Sequence, residues 1–261
     1  MANVASADPA IFLRLGVAMT ALQASIGALN DVVDAPKDAG HKPGKPIPAG
    51  LVSVAVARAV VAAAAGLGLA LAVPSGPWTL ALAVVVLAIG YGYDLAFKGT
   101  AWSWLPFAVG IPLLPVFGWL GTTGSLPASF AVLLPVAVVA GSSLAIANAR
   151  ADMERDAAAG VDSVAVRLGS ERSWAIEAAL LAVVVGAALV TLVRADATTG
   201  SLVAAVGAGV LIAIGVALGR SDDSARRERA WQLQAVAVGL LGAAWLAGME
   251  LANRPGHLLG G

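Results

Sequence analysis

Long apolar stretches broken by short polar or glycine- and proline-rich segments are the dominant pattern of this chain. Eight runs, roughly 11–30, 51–73, 77–97, 101–121, 128–149, 174–193, 201–219 and 231–252, are each about as long as a helix that crosses a bilayer. Turn chemistry marks the ends of several: PSGP at Pro74 to Pro77, GTTGSLP at Gly121 to Pro127, and RADATTG at Arg194 to Gly200. The first run has Arg14 inside it and no charged segment before it, and it leads into aspartates without a small-residue cleavage site, so it reads as a span and not as a signal peptide. The expected fold is all-α: a polytopic transmembrane helical bundle of about eight spans, taken as a single domain over 1–261.

Composition supports a membrane solvent, with 59% hydrophobic and only 12% charged residues where soluble domains carry about 25%. Formal net charge is zero, so nothing argues for nucleic acid as a partner, and the lack of cysteine excludes disulfides, thiolate metal sites and a cysteine nucleophile. Six of the seven tryptophans lie near span ends, where interfacial belts form, and Trp245 alone falls mid-span. Of the sixteen Lys and Arg residues, only Arg14, Arg194 and Arg254 lie off the face that carries the polar loops after spans one, three, five and seven. That asymmetry predicts a cytoplasmic location for those loops, with both termini on the opposite side.

The same loops hold most of the acid. Asn30, Asp31, Asp34 and Asp38 follow span one, and Asn148, Asp152, Glu154 and Asp156 follow span five. Asn30 and Asn148, Asp34 and Asp152, and Asp38 and Asp156 are each 118 positions apart, which predicts two related four-helix halves. Steps of four put each trio on one helix face, although Pro36 predicts a break before Asp38. One such aspartate alone is most simply a solvated helix end or cap. A repeated acidic face at membrane depth instead marks a substrate or ion path, and its crowded carboxylates call for cations. Mg²⁺ is the expected one, since it takes oxygen ligands from one or two carboxylates plus phosphates and water. His41 and His257 lack partners at zinc-ligand spacing.

NDVVDAPKD and DMERD also resemble the two aspartate motifs, N-D-x-x-D-x-x-x-D and D-x-x-x-D, of the UbiA superfamily of intramembrane prenyltransferases, 4-hydroxybenzoate polyprenyltransferase-like members included. KPIPAGLVS is similar to the family segment after the first motif, DAAAGVDSVAVRLG to the run after the second, and YDLAFKG to the Tyr and Lys loop between them. The resemblance covers nearly the whole chain. It implies that Asp31, Asp34 and Asp38 hold one Mg²⁺ and Asp152 and Asp156 another, with Asn30 and Asn148 as oxygen ligands or orienting groups. It further implies that Lys98 and Tyr93, then Arg150, Lys42 and Lys45, contact the diphosphate of a polyprenyl donor, while Asp34, Asp152, Lys98 and Tyr93 carry the chemistry. The prenyl chain would lie in an apolar cavity open to the bilayer, and a small hydrophobic or aromatic acceptor would receive it. Phe107, Phe117 and Trp119 are packing or belt residues that would alternatively shield a carbocation. Tyr91 would face either site or lipid.

Two departures from the family stand out. About twenty-nine residues precede Asn30, room for one span where the family usually has two, so its first helix is expected to be absent here; and Asp94 stands where the family tends to have a small polar residue. Nothing in the residues selects the acceptor. Two alternatives stay open: a transporter or divalent-cation carrier built from two related halves, and a terpene cyclase of the same superfamily.

Overall fold

The computed structural model describes residues 8–39 and 44–252. Among them the only regular elements are helical: α1 (Pro9–Asp38), α2 (Val54–Ala72), α3 (Pro77–Gly92), α4 (Trp104–Thr123), α5 (Phe130–Ala151), α6 (Met153–Ala158), α7 (Val164–Leu168), α8 (Ser170–Arg194), α9 (Thr199–Gly219) and α10 (Ser224–Ala252). Among the described residues eight helices are long and apolar enough to cross a membrane, and they coincide with the eight apolar runs. Local chemistry sets their starts. Asp8 accepts from the Ala10 amide ahead of Pro9, Ser53 caps α2 through the Val56 amide, and Thr198 caps α9 through that of Ser201. Gly124, at φ +73°, closes α4 in the left-handed conformation with its N–H on the Leu120 carbonyl.

The chain forms two compact units, Met1–Lys98 with Pro112–Ala128 and Gly99–Ile111 with Ser129–Gly261. In the first, α1 lies along α2 and α3 packs on both. Its core joins Leu15, Ala18 and Leu22 of α1 to Ala72, Ala83, Val86, Leu87 and Phe117. Phe117 is thus a packing residue. Gly68 lets α1 and α2 approach, because a Cβ there would lie 2.7 Å from Leu22 Cδ2. Tyr91 is partly buried against this core, and its hydroxyl lies 2.6 Å from Ser25 Oγ, which donates to the Val61 carbonyl. The break expected at Pro36 does not occur. α1 runs through it to Asp38, because Pro36 sits in the last turn, where losing one N–H frees only the Val32 carbonyl.

In the second unit α5 is the central helix, packed on α8 and α10, while α9 packs on α10 and α8. The unit also holds the first half of α4, which moves the boundary from the four-and-four division that the motif repeat predicts. Within this unit Gly141, by lacking a side chain, lets α5 come against the Phe107 carbonyl of α4, closer than any Cβ would allow. Trp245, the mid-span tryptophan, is buried and donates its indole N–H to Thr191 Oγ1 at 2.6 Å.

Candidate active site

The C-terminal turns of α1 carry Asn30, Asp31, Asp34 and Asp38 with helical spacing, so Asp34 and Asp38 lie one turn apart on a single face and both are buried. A compact loop brings a cation onto that face. Pro46 and Pro48 restrict the backbone, the Ala49 N–H bonds the Lys45 carbonyl, the Leu51 N–H bonds the Pro46 carbonyl, and Gly50 turns the chain at φ +72°. Lys45 Nζ then lies 2.8 Å from Asp31 Oδ1, 3.0 Å from Asp38 Oδ2 and 3.6 Å from Asp34 Oδ2. Burial alone would pull Lys45 toward its neutral form, but the hydrogen bonds and charges of Asp31 and Asp38 together outweigh it and raise its pKa above the ordinary lysine value.

A second cation reaches the cluster from the end of α3. Tyr93–Phe97 form a π-turn closed by the Lys98 N–H on the Tyr93 carbonyl at 2.8 Å, after which the backbone extends at Lys98 and turns at Gly99. Such π-turns recur at functional sites, and nothing in the sequence announced this one. Lys98 Nζ lies 2.5 Å from Asp34 Oδ2, and Asn30 donates to Asp94 Oδ1 at 2.7 Å. Asn30, Asp31, Asp34, Asp38, Lys45 and Lys98 therefore converge, and Tyr93 lies half-buried beside them in the chain. Lys42 and His41 lie outside the described residues.

The second motif is built differently. α5 ends at Ala151, and Asp152 (φ −102°, ψ 1°) caps it before α6 begins at Met153. Asn148, Asp152 and Asp156 therefore do not share one helix face, contrary to the four-residue reading, because the chain leaves helical geometry at Asp152, whose carboxylate pairs with Arg155. Arg150 points inward. Its Nη1 bonds Glu177 Oε2 at 3.0 Å, Gln234 donates to Glu177 Oε1 at 2.7 Å, and Ser143 donates to the Glu177 carbonyl at 3.0 Å. Arg227, also buried, donates through Nε to the Arg150 carbonyl at 2.8 Å, through Nη1 to the carbonyls of Ser221 and Asp222, and through Nη2 to Glu154. Sequence reading passed over Glu177, Gln234 and Arg227; the available signal was a lone Glu inside the run 174–193 and the pair Gln232 and Gln234 at the start of the last run.

Among the described residues no three carboxylates or imidazoles form a closed metal cage. The donor set of the first motif nevertheless fits Mg²⁺. It consists of oxygens, it already attracts a cation in the form of the Lys45 ammonium, and Mg²⁺ is held by one or two carboxylates with phosphate and water completing its shell.

Comparison with known proteins agrees with this architecture. The chain is similar over its whole bundle to the apo structure of a UbiA homolog from Aeropyrum pernix K1, with a TM-score of 0.73 and 19% identity over 93% of this chain and 90% of that one. A UbiA homolog from Archaeoglobus fulgidus bound to GPP and Mg²⁺ gives 0.66 and 18% over 92% and 89%. A digeranylgeranylglyceryl phosphate synthase gives 0.69 and 18% over 94% and 88%. Comparison with curated proteins gave no match. The family signature itself spans residues 1–247, and the chain belongs to the UbiA prenyltransferase family.

Proposed function

We propose that this integral membrane protein is a Mg²⁺-dependent prenyltransferase that moves a polyprenyl group from its diphosphate to a small hydrophobic acceptor, with an aromatic ring as the expected class. The observation that carries the reading is the gathering of Asp31, Asp34 and Asp38 around Lys45, with Lys98 on Asp34. The Archaeoglobus fulgidus homolog, with structures bound to GPP and Mg²⁺ and to DMAPP and Mg²⁺, supports the same donor class here.

Breaking an allylic carbon–oxygen bond leaves charge on the departing diphosphate, and a site accelerates that step by meeting the charge with fixed cations. Bound Mg²⁺ would neutralise the leaving diphosphate. Asp31, Asp34 and Asp38 are the expected ligands of one ion, and Asp152 and Asp156 of another. Lys98 and Lys45 already sit on the aspartates by their ammonium groups, and each is free to exchange a carboxylate oxygen for a phosphate oxygen. Tyr93 and Lys42 complete the donor-binding set, and Asn30 and Asn148 supply amide oxygens. Arg150 holds the end of α5 through Glu177, which leaves it a lesser part at the diphosphate. The charge asymmetry of the loops supports a cytoplasmic aspartate face.

Release of diphosphate from geranylgeranyl and farnesyl diphosphate by the purified protein in lipid, with Mg²⁺ or with EDTA, tests this reading. Release that requires Mg²⁺ is the expected result. Absence of both release and Mg²⁺-dependent donor binding would overturn it in favour of a cation carrier, and a cyclised hydrocarbon product would reassign the chain as a cyclase.

A further inference from the structure

Asp94, at the end of the third span, is buried, with 5% of its surface exposed. Its two oxygens have different fates. Oδ1 accepts from Asn30 Nδ2 at 2.7 Å, while Oδ2 is buried without a hydrogen-bond partner. Leaving a buried acceptor unpaired costs about 1–3 kcal/mol, and more when the group is charged, so a carboxylate kept only for packing would not be held this way. The groups around Asp94 show what it faces: Lys98, Asp34 and Lys45 all act on it electrostatically, so it belongs to the first aspartate cluster.

The bond to Asn30 carries a second consequence. A carboxylate accepts and does not donate, so the Asn30 amide has to turn its NH₂ toward Asp94, and its carbonyl oxygen must face the other way. The orientation of an asparagine amide is ordinarily ambiguous, and here the partner fixes it. We infer that Asp94 is a fourth acidic member of the divalent-cation site, acting in two ways: its Oδ1 fixes the Asn30 amide so that the carbonyl is offered as an oxygen ligand, and its Oδ2 adds a carboxylate oxygen to those of Asp34. A small polar residue at 94 would add no carboxylate oxygen. The inference rests on reading the first motif as a site for a divalent cation.

The test uses the full chain in lipid nanodiscs, with Mn²⁺ as a paramagnetic probe and bound metal measured by electron paramagnetic resonance in the presence of inorganic diphosphate. Asp94→Asn keeps the size of the side chain and is expected to weaken Mn²⁺ binding at least tenfold. Asn30→Ala, which leaves Asp94 in place, is expected to weaken it severalfold, and the double variant to be weaker than Asp94→Asn by no more than about twofold, because one effect runs through the other. Thr191→Val, remote from the cluster, should bind Mn²⁺ as the parent does. A Kd within twofold of the parent for Asp94→Asn overturns the inference; should that variant not fold, an unchanged Kd for Asn30→Ala does so. If the parent binds Mn²⁺ through Asp94 but releases no diphosphate from prenyl donors, the transferase reading fails and this one stands. Prenyl turnover with Mn²⁺ binding indifferent to Asp94 gives the reverse, and a parent that binds no Mn²⁺ defeats both.

Discussion

The first aspartate motif lies on an unbroken helix and is gathered by ammonium groups, whereas the second straddles a helix break and is held by a guanidinium. On α1, Lys45 and Lys98 contact the aspartates directly, so the cations and the acids form one cluster. Around α5 and α6 Arg155 pairs locally with Asp152, while the two buried arginines reach past the aspartates: Arg150 goes to Glu177 in the interior, and Arg227 ties the Arg150 carbonyl to Glu154. Lysine and arginine suit these separate tasks. An ammonium is a mobile point charge that can change partners when a phosphate arrives, while a guanidinium with several fixed donors locks backbone and side chain together. The first motif is arranged for exchange, and the second has its scaffold fixed and its carboxylates left near solvent.

The comparison breaks most sharply at the aspartates. Asp34→Asn removes a charge from the middle of the ammonium cluster, and Asp152→Asn removes the carboxylate that pairs with Arg155 at the break between α5 and α6. Both are expected to lower Mg²⁺-dependent diphosphate release by ~100-fold or more, the scale set by removing a group that stabilises transition-state charge. Their structural effects should differ. Asp34→Asn leaves Lys45 and Lys98 short of one partner and lowers thermal stability, whereas Asp152, 42% exposed at its side chain, is paired only locally with Arg155 and its loss should leave the melting temperature nearly unchanged. Full turnover in both variants would remove the metal-ligand assignment.

Next in size is the buried scaffold of the second unit. Glu177→Leu leaves the Arg150 guanidinium, 3% exposed, without its carboxylate, and breaking a buried pair from one side costs about 3–5 kcal/mol. Thermal unfolding in lipid or detergent should show a large loss, and replacing Glu177 and Arg150 together by apolar residues should recover much of it. A double variant as unstable as the single one would mean that the pair matters through Gln234 and Ser143 and not through its own charges.

How much of this was legible in the sequence follows from the size of each signal. The eight spans were, because each depends on about twenty residues whose summed hydrophobicity no single substitution can hide. The gathering of the first motif was legible as well, since Asp31, Asp34 and Asp38 repeat at helical spacing and Lys45 and Lys98, which contact them, stand in the neighbouring loops. Pro36 misled because a proline signals a break by local sterics, while its actual cost depends on whether a turn of helix remains to be disrupted. DMERD misled in the opposite sense: its four-residue spacing suggests a continuous helix face, but the chain leaves helical geometry at Asp152, next to the Arg150 carbonyl that Arg227, seventy-seven positions away, holds by a hydrogen bond. Glu177 is a single charged position in an apolar run and Gln234 one of two glutamines at the start of another, and only packing reveals that they meet.

Lys45 gives a smaller and more discriminating effect. Lys45→Met should lower the stability of the metal-free protein by about 1–3 kcal/mol, since it leaves partly buried carboxylates without their donor. The consequence that separates an exchangeable cation from a structural one is the response to Mg²⁺. If the ammonium stands where a divalent cation is wanted, saturating Mg²⁺ should raise the melting temperature of Lys45→Met by more than it raises that of the parent. An equal or smaller rise would make Lys45 a purely structural partner. The pKa of Lys45 is raised on folding, so its contribution is complete below the ordinary lysine value and is lost only as pH climbs through the raised one; the comparison at neutral pH is therefore free of its titration.

The smallest effect belongs to an ion pair that resembles the others only on paper. Asp162 and Arg167 follow the second motif, and the guanidinium accepts no burial to hold the carboxylate: both side chains are more than half exposed. The hydrogen bond from Arg167 holds the Asp162 carboxyl below its usual pKa, so whatever the pair contributes is present above the ordinary aspartate value and fades as pH falls through the depressed one. Exposed pairs are screened by salt and water. Asp162→Asn should therefore leave the melting temperature at neutral pH within experimental error and remove only a slight dependence on acid and salt. A clear loss of stability at neutral pH would mean that the loop after the second motif is held by charge, as the first motif is, and that the contrast between ammonium exchange and guanidinium scaffold does not extend past α6.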